Sequence, residues 1–96
     1  MNYLKQPIHR SEAWLRAVAS LDCVLCGAHG TQAAHRNESK GLALKVDDAL
    51  TAALCPKCHA EIDQGKNLDR WERRQAMDKA ILLTLIQLAR RGLVKA

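Results

Sequence analysis

A small α+β domain built around a metal is the fold class this sequence predicts, and three observations predict it. Four cysteines fall as two C-x2-C pairs, Cys23/Cys26 and Cys55/Cys58. Two short stretches with strand character lie between the pairs, and helical periodicity stands before the first pair and after the second. The 96 residues make one domain, 1–96, whose own core leaves little stability to spare. A structural metal fills that gap, and paired C-x2-C is the spacing of a tetrahedral Zn(Cys)4 site. Disulfides are the other use of four cysteines. The N-terminus, Met-Asn-Tyr-Leu-Lys-Gln-Pro, lacks the apolar run of a signal peptide, which implies a cytoplasmic protein with reduced thiols.

Taken in order, residues 1–10 are polar and irregular. Ser11 is an N-cap for a helix through about Leu21, with Trp14, Leu15, Val18 and Leu21 on one face as core. Cys23-Val-Leu-Cys26-Gly27 has the form of a zinc knuckle, the glycine permitting the tight turn after the second thiol. Thr31–His35 reads as the first arm of a β-hairpin, 36–48 as its polar connection and Ala49–Leu54 as the returning strand. Pro56 suits a first helical turn and Gly65 a C-cap, so a short helix runs from about Pro56 to Gln64. Asn67 then caps a long helix over about 68–91, with Arg90, Arg91 and Gly92 closing it. The second half of that helix is apolar over more than one face, which suits packing against the first helix and a monomer or homodimer. It is too short and interrupted to span a bilayer, so no membrane partner is expected. Knuckle, hairpin and helix N-terminus clamping one zinc make a treble clef, within which hairpin and helix form a ββα unit.

Two chemistries meet on the short helix. Cys55 and Cys58 sit at its N-terminal end, where the dipole favours thiolates, while His59 and Asp63, four residues apart, share one face. His35 ends the strand that should pack on this helix, so the three side chains are expected to converge on one pocket. Hydrolysing a phosphodiester needs a base for water and a cation against the charge that develops on phosphorus oxygens and the leaving oxygen. An imidazole facing a His/carboxylate cation site supplies both. Each residue alone has a plainer reading: a hydrogen-bonded structural histidine, or a carboxylate on a helix surface.

The pattern Cys23-x2-Cys26, Ala34-His35, Cys55-x2-Cys58-His59-x3-Asp63 resembles the HNH (His-Me finger) endonucleases that carry an accessory four-cysteine zinc. Within that superfamily the resemblance is to the small prophage YbcO-like and RecA-dependent Ref-like nucleases, and it covers about residues 20–65. It implies an HNH-like core with a long C-terminal helix, and a DNA endonuclease acting in phage recombination or DNA processing, with a recombinase as a partner. It also implies roles. His35 would be the general base, and His59 with Asp63 would bind the catalytic divalent cation (Mg2+, Mn2+ or Zn2+). Cys23, Cys26, Cys55 and Cys58 would hold structural Zn2+, and Arg36 and Lys45 would contact phosphates. Two departures stand out. Ala34 occupies the position of a frequent third cation ligand, which leaves His29, Asp47, Asp48 or water to complete the shell. The family's middle Asn, which orients the base, has no counterpart other than Asp47 or Asp48.

The net charge of +5 and pI near 9.3 agree with a polyanionic partner, DNA above all. Aromatic residues are 3% of the chain and Phe is absent, which argues against a base-stacking platform for single strands. Two other functions compete with the nuclease. One is a catalytically inactive treble-clef module that binds DNA or a recombination protein. The other is c-type haem attachment at Cys55-Pro-Lys-Cys58-His59, which leaves Cys23 and Cys26 unexplained and places no Met as second axial ligand.

Overall fold

The computed structural model describes residues 10–36, 47–65 and 67–93. The chain runs α1 (Glu12–Ala19), β1 (Gln32–His35), β2 (Thr51–Leu54), α2 (Pro56–Gln64) and α3 (Arg70–Arg90). The expected α+β order is present, with three helices around a two-stranded antiparallel sheet.

Local chemistry sets the ends of each element. Ser11 caps α1 as expected, its hydroxyl accepting the Trp14 N–H at 3.1 Å. The helix stops at Ala19 rather than near Leu21, because Ser20 N–H turns back to Arg16 O and Ala17 O. Thr31 is not a strand residue: its hydroxyl donates to the Leu21 and Ala19 carbonyls, so it ties the end of α1 to the start of β1. The returning strand begins at Thr51 rather than Ala49. Asp47 and Asp48 open a turn in which Leu50 N–H donates to Asp47 O and the Thr51 hydroxyl to Asp48 O. Gly65 ends α2, but at φ −65°; glycine is needed there because a Cβ would run into the Glu61 carbonyl oxygen.

For α3 the N-cap is Asp69, not Asn67. Asp69 and Glu72 form a capping box, Glu72 N–H donating to Asp69 Oδ1 at 2.8 Å and Asp69 N–H to Glu72 Oε1 at 3.2 Å. At the other end Gly92, with φ +69°, sends its N–H to Ala89 O while Leu93 N–H reaches Leu88 O, closing a Schellman motif.

The hairpin register pairs Gln32 with Leu54, Ala33 with Ala53, Ala34 with Ala52 and His35 with Thr51. Strand side chains alternate, so Gln32, Ala34, Ala52 and Leu54 line one face and Ala33, His35, Thr51 and Ala53 the other. On the first face Ala34, Ala52 and Leu54 pack with Cys23, Cys55, Cys58, Ile62, Met77 and Ala80. On the second, Ala53 packs with Val18, Leu21 and Leu88, and Trp14, Ala17, Val24 and Ala33 border them. The expected contact between the first and last helices is therefore made, through Val18, Leu21 and Leu88.

Helix α3 crosses the outer edge of β2 and serves both faces. Met77 and Ala80 lie on the first, Leu88 on the second, and between them Thr84 closes the edge itself by accepting the Ala53 N–H at 3.0 Å. The Ala53 carbonyl is taken by Val24 N–H at 3.0 Å, so at this residue the edge presents no open backbone group. Among the described residues no helix is long and apolar enough to cross a membrane.

Candidate metal centre and histidine–carboxylate sites

The two halves of the sulfur cluster are built by different local structures. In the first, Gly27 at φ +80° folds the chain back so that its N–H meets Cys23 O at 2.8 Å, while Cys23 N–H donates to Ala28 O at 2.9 Å. In the second, Cys55 is the N-cap of α2 and its Sγ accepts the Cys58 N–H at 3.4 Å. The four Sγ atoms lie within 4.8 Å of one another, with Cys26 and Cys55 Sγ 3.6 Å apart. Four thiolates around zinc at about 2.3 Å have S···S edges of about 3.8 Å, so the donor set fits a tetrahedral ion. All four cysteines are free thiols; Cys26 is exposed and the other three are buried.

Their ionisation is split. Burial, then the neighbouring sulfurs, push the Cys58 thiol up, whereas at Cys23 burial is outweighed by backbone N–H groups of Cys55, Cys26 and Leu25 that bring it down to about 6. Four sulfurs this close, using both C-x2-C pairs, match a structural metal such as zinc and not haem attachment, which would use only one pair.

His35 stands at the end of β1 with Nε2 2.9 Å from Asp48 Oδ1. Asp48 is buried, and it also accepts the Ser11 N–H at 2.7 Å on Oδ2 and Arg10 Nη1 at 3.3 Å on Oδ1. The His35 hydrogen bond first, then the Ser11 N–H and the Arg10 charge, hold this carboxyl below the usual aspartate range against the opposing effect of burial. The carboxylate therefore stays ionised and fixes the plane of the imidazole, whose side chain remains 37% exposed.

His59 and Asp63 meet on α2 as their spacing predicts, Nε2 to Oδ2 at 2.9 Å. The other ring nitrogen, Nδ1, lies 3.1 Å from Gln32 Oε1 on β1. That contact sets His59 beside Gln32, three residues before His35 on β1. Gln32 and His35 are an odd number of residues apart on one strand, so their side chains leave opposite faces. His59 and Asp63 belong with Gln32 on the zinc side of the sheet, and His35 belongs with Asp48 and the start of α1 on the other. Among the described residues no hydrogen bond or ion pair joins His35 to His59 or Asp63.

Neither His29 nor Asp48 completes a shell around His59 and Asp63. His29 Nδ1 pairs with Asp22 at 2.7 Å, and Asp48 serves His35. The four cysteines are the one group of three or more potential metal donors found close together among the described residues. Arg36 is tied to α3 by an ion pair with Asp78 at 3.1 Å, and Lys45 lies outside the described residues.

Gln32 is a site residue that sequence reasoning did not single out, and the anchoring of Asp48 by Ser11, read there as a helix cap, and by Arg10, read there as a solvated charge or a phosphate contact, was not foreseen. Register is what identifies them: it faces the His59 helix with Gln32 and turns His35 toward the segment before Thr51.

Fold and site define a small α+β protein, with three helices on a two-stranded sheet among the described residues and a four-cysteine centre that could hold a structural metal such as zinc. Residues 1–91 match the family model described as "Protein of unknown function (DUF968)", and the chain belongs to that family. No curated protein and no solved structure matches it significantly.

Proposed function

We propose that this protein is a metal-dependent DNA endonuclease of the HNH type, built on a zinc-stabilised treble clef. The observation that carries the reading is the His35–Asp48 pair at 2.9 Å. With Nε2 held by a carboxylate, Nδ1 is the nitrogen left to take a proton from water, and Asp48 stabilises the imidazolium that results. Asp48 also stands in for the orienting residue of the HNH pattern. His59 and Asp63 would hold the divalent cation, which when bound supplies charge stabilisation to the phosphorane and the departing oxygen. The net charge of +5 supports a polyanionic substrate, and a role in phage DNA processing beside a recombinase is part of the same proposal.

A second reading has its own observation. His35 and Gln32, the partner of His59, leave opposite faces of β1, and a zinc module that binds DNA or a recombination protein without cutting needs no shared pocket. Nicking of supercoiled plasmid by zinc-loaded protein with Mg2+ or Mn2+ separates the two, with His35→Ala and His59→Ala beside wild type. Cleavage abolished in both variants, with zinc and fold retained, is the expected result. Cleavage that persists in His35→Ala removes the assigned base. Salt-sensitive DNA binding with no cleavage by wild type, with or without a recombinase added, selects the second reading.

A further inference from the structure

Gln32 takes no part in the chemistry above, yet its Oε1 meets His59 Nδ1 at 3.1 Å. An amide oxygen only accepts, so with the amide in this orientation the proton is on Nδ1. A neutral His59 ring then turns a bare Nε2 toward Asp63 Oδ2, 2.9 Å away. Two lone pairs at that distance repel unless a positive charge lies between them or on the ring. Both side chains keep a route to solvent, with His59 27% and Asp63 23% exposed.

Resting on the reading of His59 and Asp63 as cation ligands, we propose that Gln32 is the positioning residue of that site. It holds His59 in the Nδ1–H tautomer and presents Nε2, side by side with Asp63 Oδ2, to a divalent cation. A histidine that ligates through one nitrogen is oriented by what its other nitrogen donates to, and here the acceptor comes from a different element of the fold. This ties the cation site on α2 to the strand that carries His35.

The alternative is a structural contact with the amide reversed. Its NH2 would donate to a bare Nδ1, and Nε2–H would donate to Asp63 as an ordinary hydrogen bond. Long-range 15N–1H spectra of the imidazoles, taken on zinc-loaded protein, distinguish the two and also reveal a ring protonated on both nitrogens. Mn2+ binding followed by electron paramagnetic resonance is measured on the same samples.

Wild type is expected to show the Nδ1–H tautomer at His59 and to bind a Mn2+ that His59→Ala does not. Gln32 is exposed, so Gln32→Leu should keep its zinc and its fold. That variant should shift toward the Nε2–H tautomer and bind Mn2+ about 10–100-fold more weakly. Gln32→Glu keeps an acceptor for Nδ1–H and should restore the tautomer. A wild-type ring protonated on Nε2, whether as the Nε2–H tautomer or as the imidazolium, or Gln32→Leu that binds Mn2+ like wild type, overturns the role of Gln32 and leaves the cation site standing. Wild type that binds no Mn2+ beyond His59→Ala removes the cation site, and the proposal with it, whatever the tautomer.

Discussion

Asp48 receives the Ser11 N–H, the Arg10 guanidinium and the His35 ring on one buried carboxylate, so a single side chain both seats the start of α1 and orients the imidazole. Because its carboxyl is held below the ordinary aspartate value, folding favours the ionised form. The stability this contributes is complete above the unfolded value of about 3.9 and is lost as pH falls through the lower folded one. In paired thermal melts wild type should therefore exceed Asp48→Asn by a gap that is constant near neutrality and closes below about pH 4. A gap that stays the same down to the most acid melt would show that the charge contributes nothing. The sequence narrowed this position to Asp47 or Asp48 and could not choose between them. The choice is made by the turn that delays β2 to Thr51 and brings residue 48 under His35, a three-dimensional event with no local signature.

At the scale of elements, α3 shows why an apolar helix need not point its apolar residues inward. Its inward row includes Thr84, fully buried, while Leu82, Leu85 and Ile86 face out and Leu82 is 60% exposed. Thr84 is inside because β2 offers an edge N–H that needs an acceptor, which its hydroxyl supplies; its own proton goes to Ala80 O at 2.8 Å. Thr84→Val keeps the shape and orphans the Ala53 N–H, and should cost about 1–3 kcal/mol in denaturant unfolding. Leu82→Gln, on the outer face, should stay within about 0.5 kcal/mol. The reverse ranking would place the helix the other way round. The extent of α3 was legible from its length and its terminal Gly92, as α2 was from Pro56 and Gly65. Its true cap was written as Asp69-x-x-Glu72, two residues past the Asn67 that local preference favoured, and reciprocal side-chain bonding outweighed that preference. Strand parity is what the sequence left unread. One residue of register settles which face His35 takes, and the alternation of small residues around it (Ala33, Ala34, Ala52, Ala53) carries no hydrophobic contrast from which to read the faces.

For the whole molecule the question is what replaces a large core. Four of the buried residues are alanines (Ala34, Ala52, Ala53 and Ala80), which let helices approach the sheet but contribute little apolar area. On the face that carries Ala34, Ala52 and Leu54 the remaining volume is filled partly by Cys23, Cys55 and Cys58, so the metal donors are themselves core residues. With zinc on these four sulfurs, metal binding and folding would be one equilibrium, and structural zinc in small zinc-finger peptides contributes about 10–16 kcal/mol at pH 7, comparable with or greater than the stability of a whole small domain. The four donors should not be equivalent. Cys58 is buried among its fellow ligands at the base of α2, so Cys58→Ser removes a ligand and leaves a polar group in the core; it should give no cooperative melt even in excess zinc. Cys26 is exposed at the knuckle, so Cys26→Ser removes a ligand without disturbing packing. It should bind zinc more weakly yet recover a cooperative melt when zinc is raised, because mass action on the folded form offsets the lost donor. Elemental analysis giving one zinc per wild-type chain, with melts of both variants across a zinc titration, tests the ranking. Equal recovery of the two would mean that the sulfurs hold a metal the core does not depend on, and the stability of the domain would have to come from the apolar packing of Leu54, Ile62 and Met77 on one face and of Val18, Leu21 and Leu88 on the other.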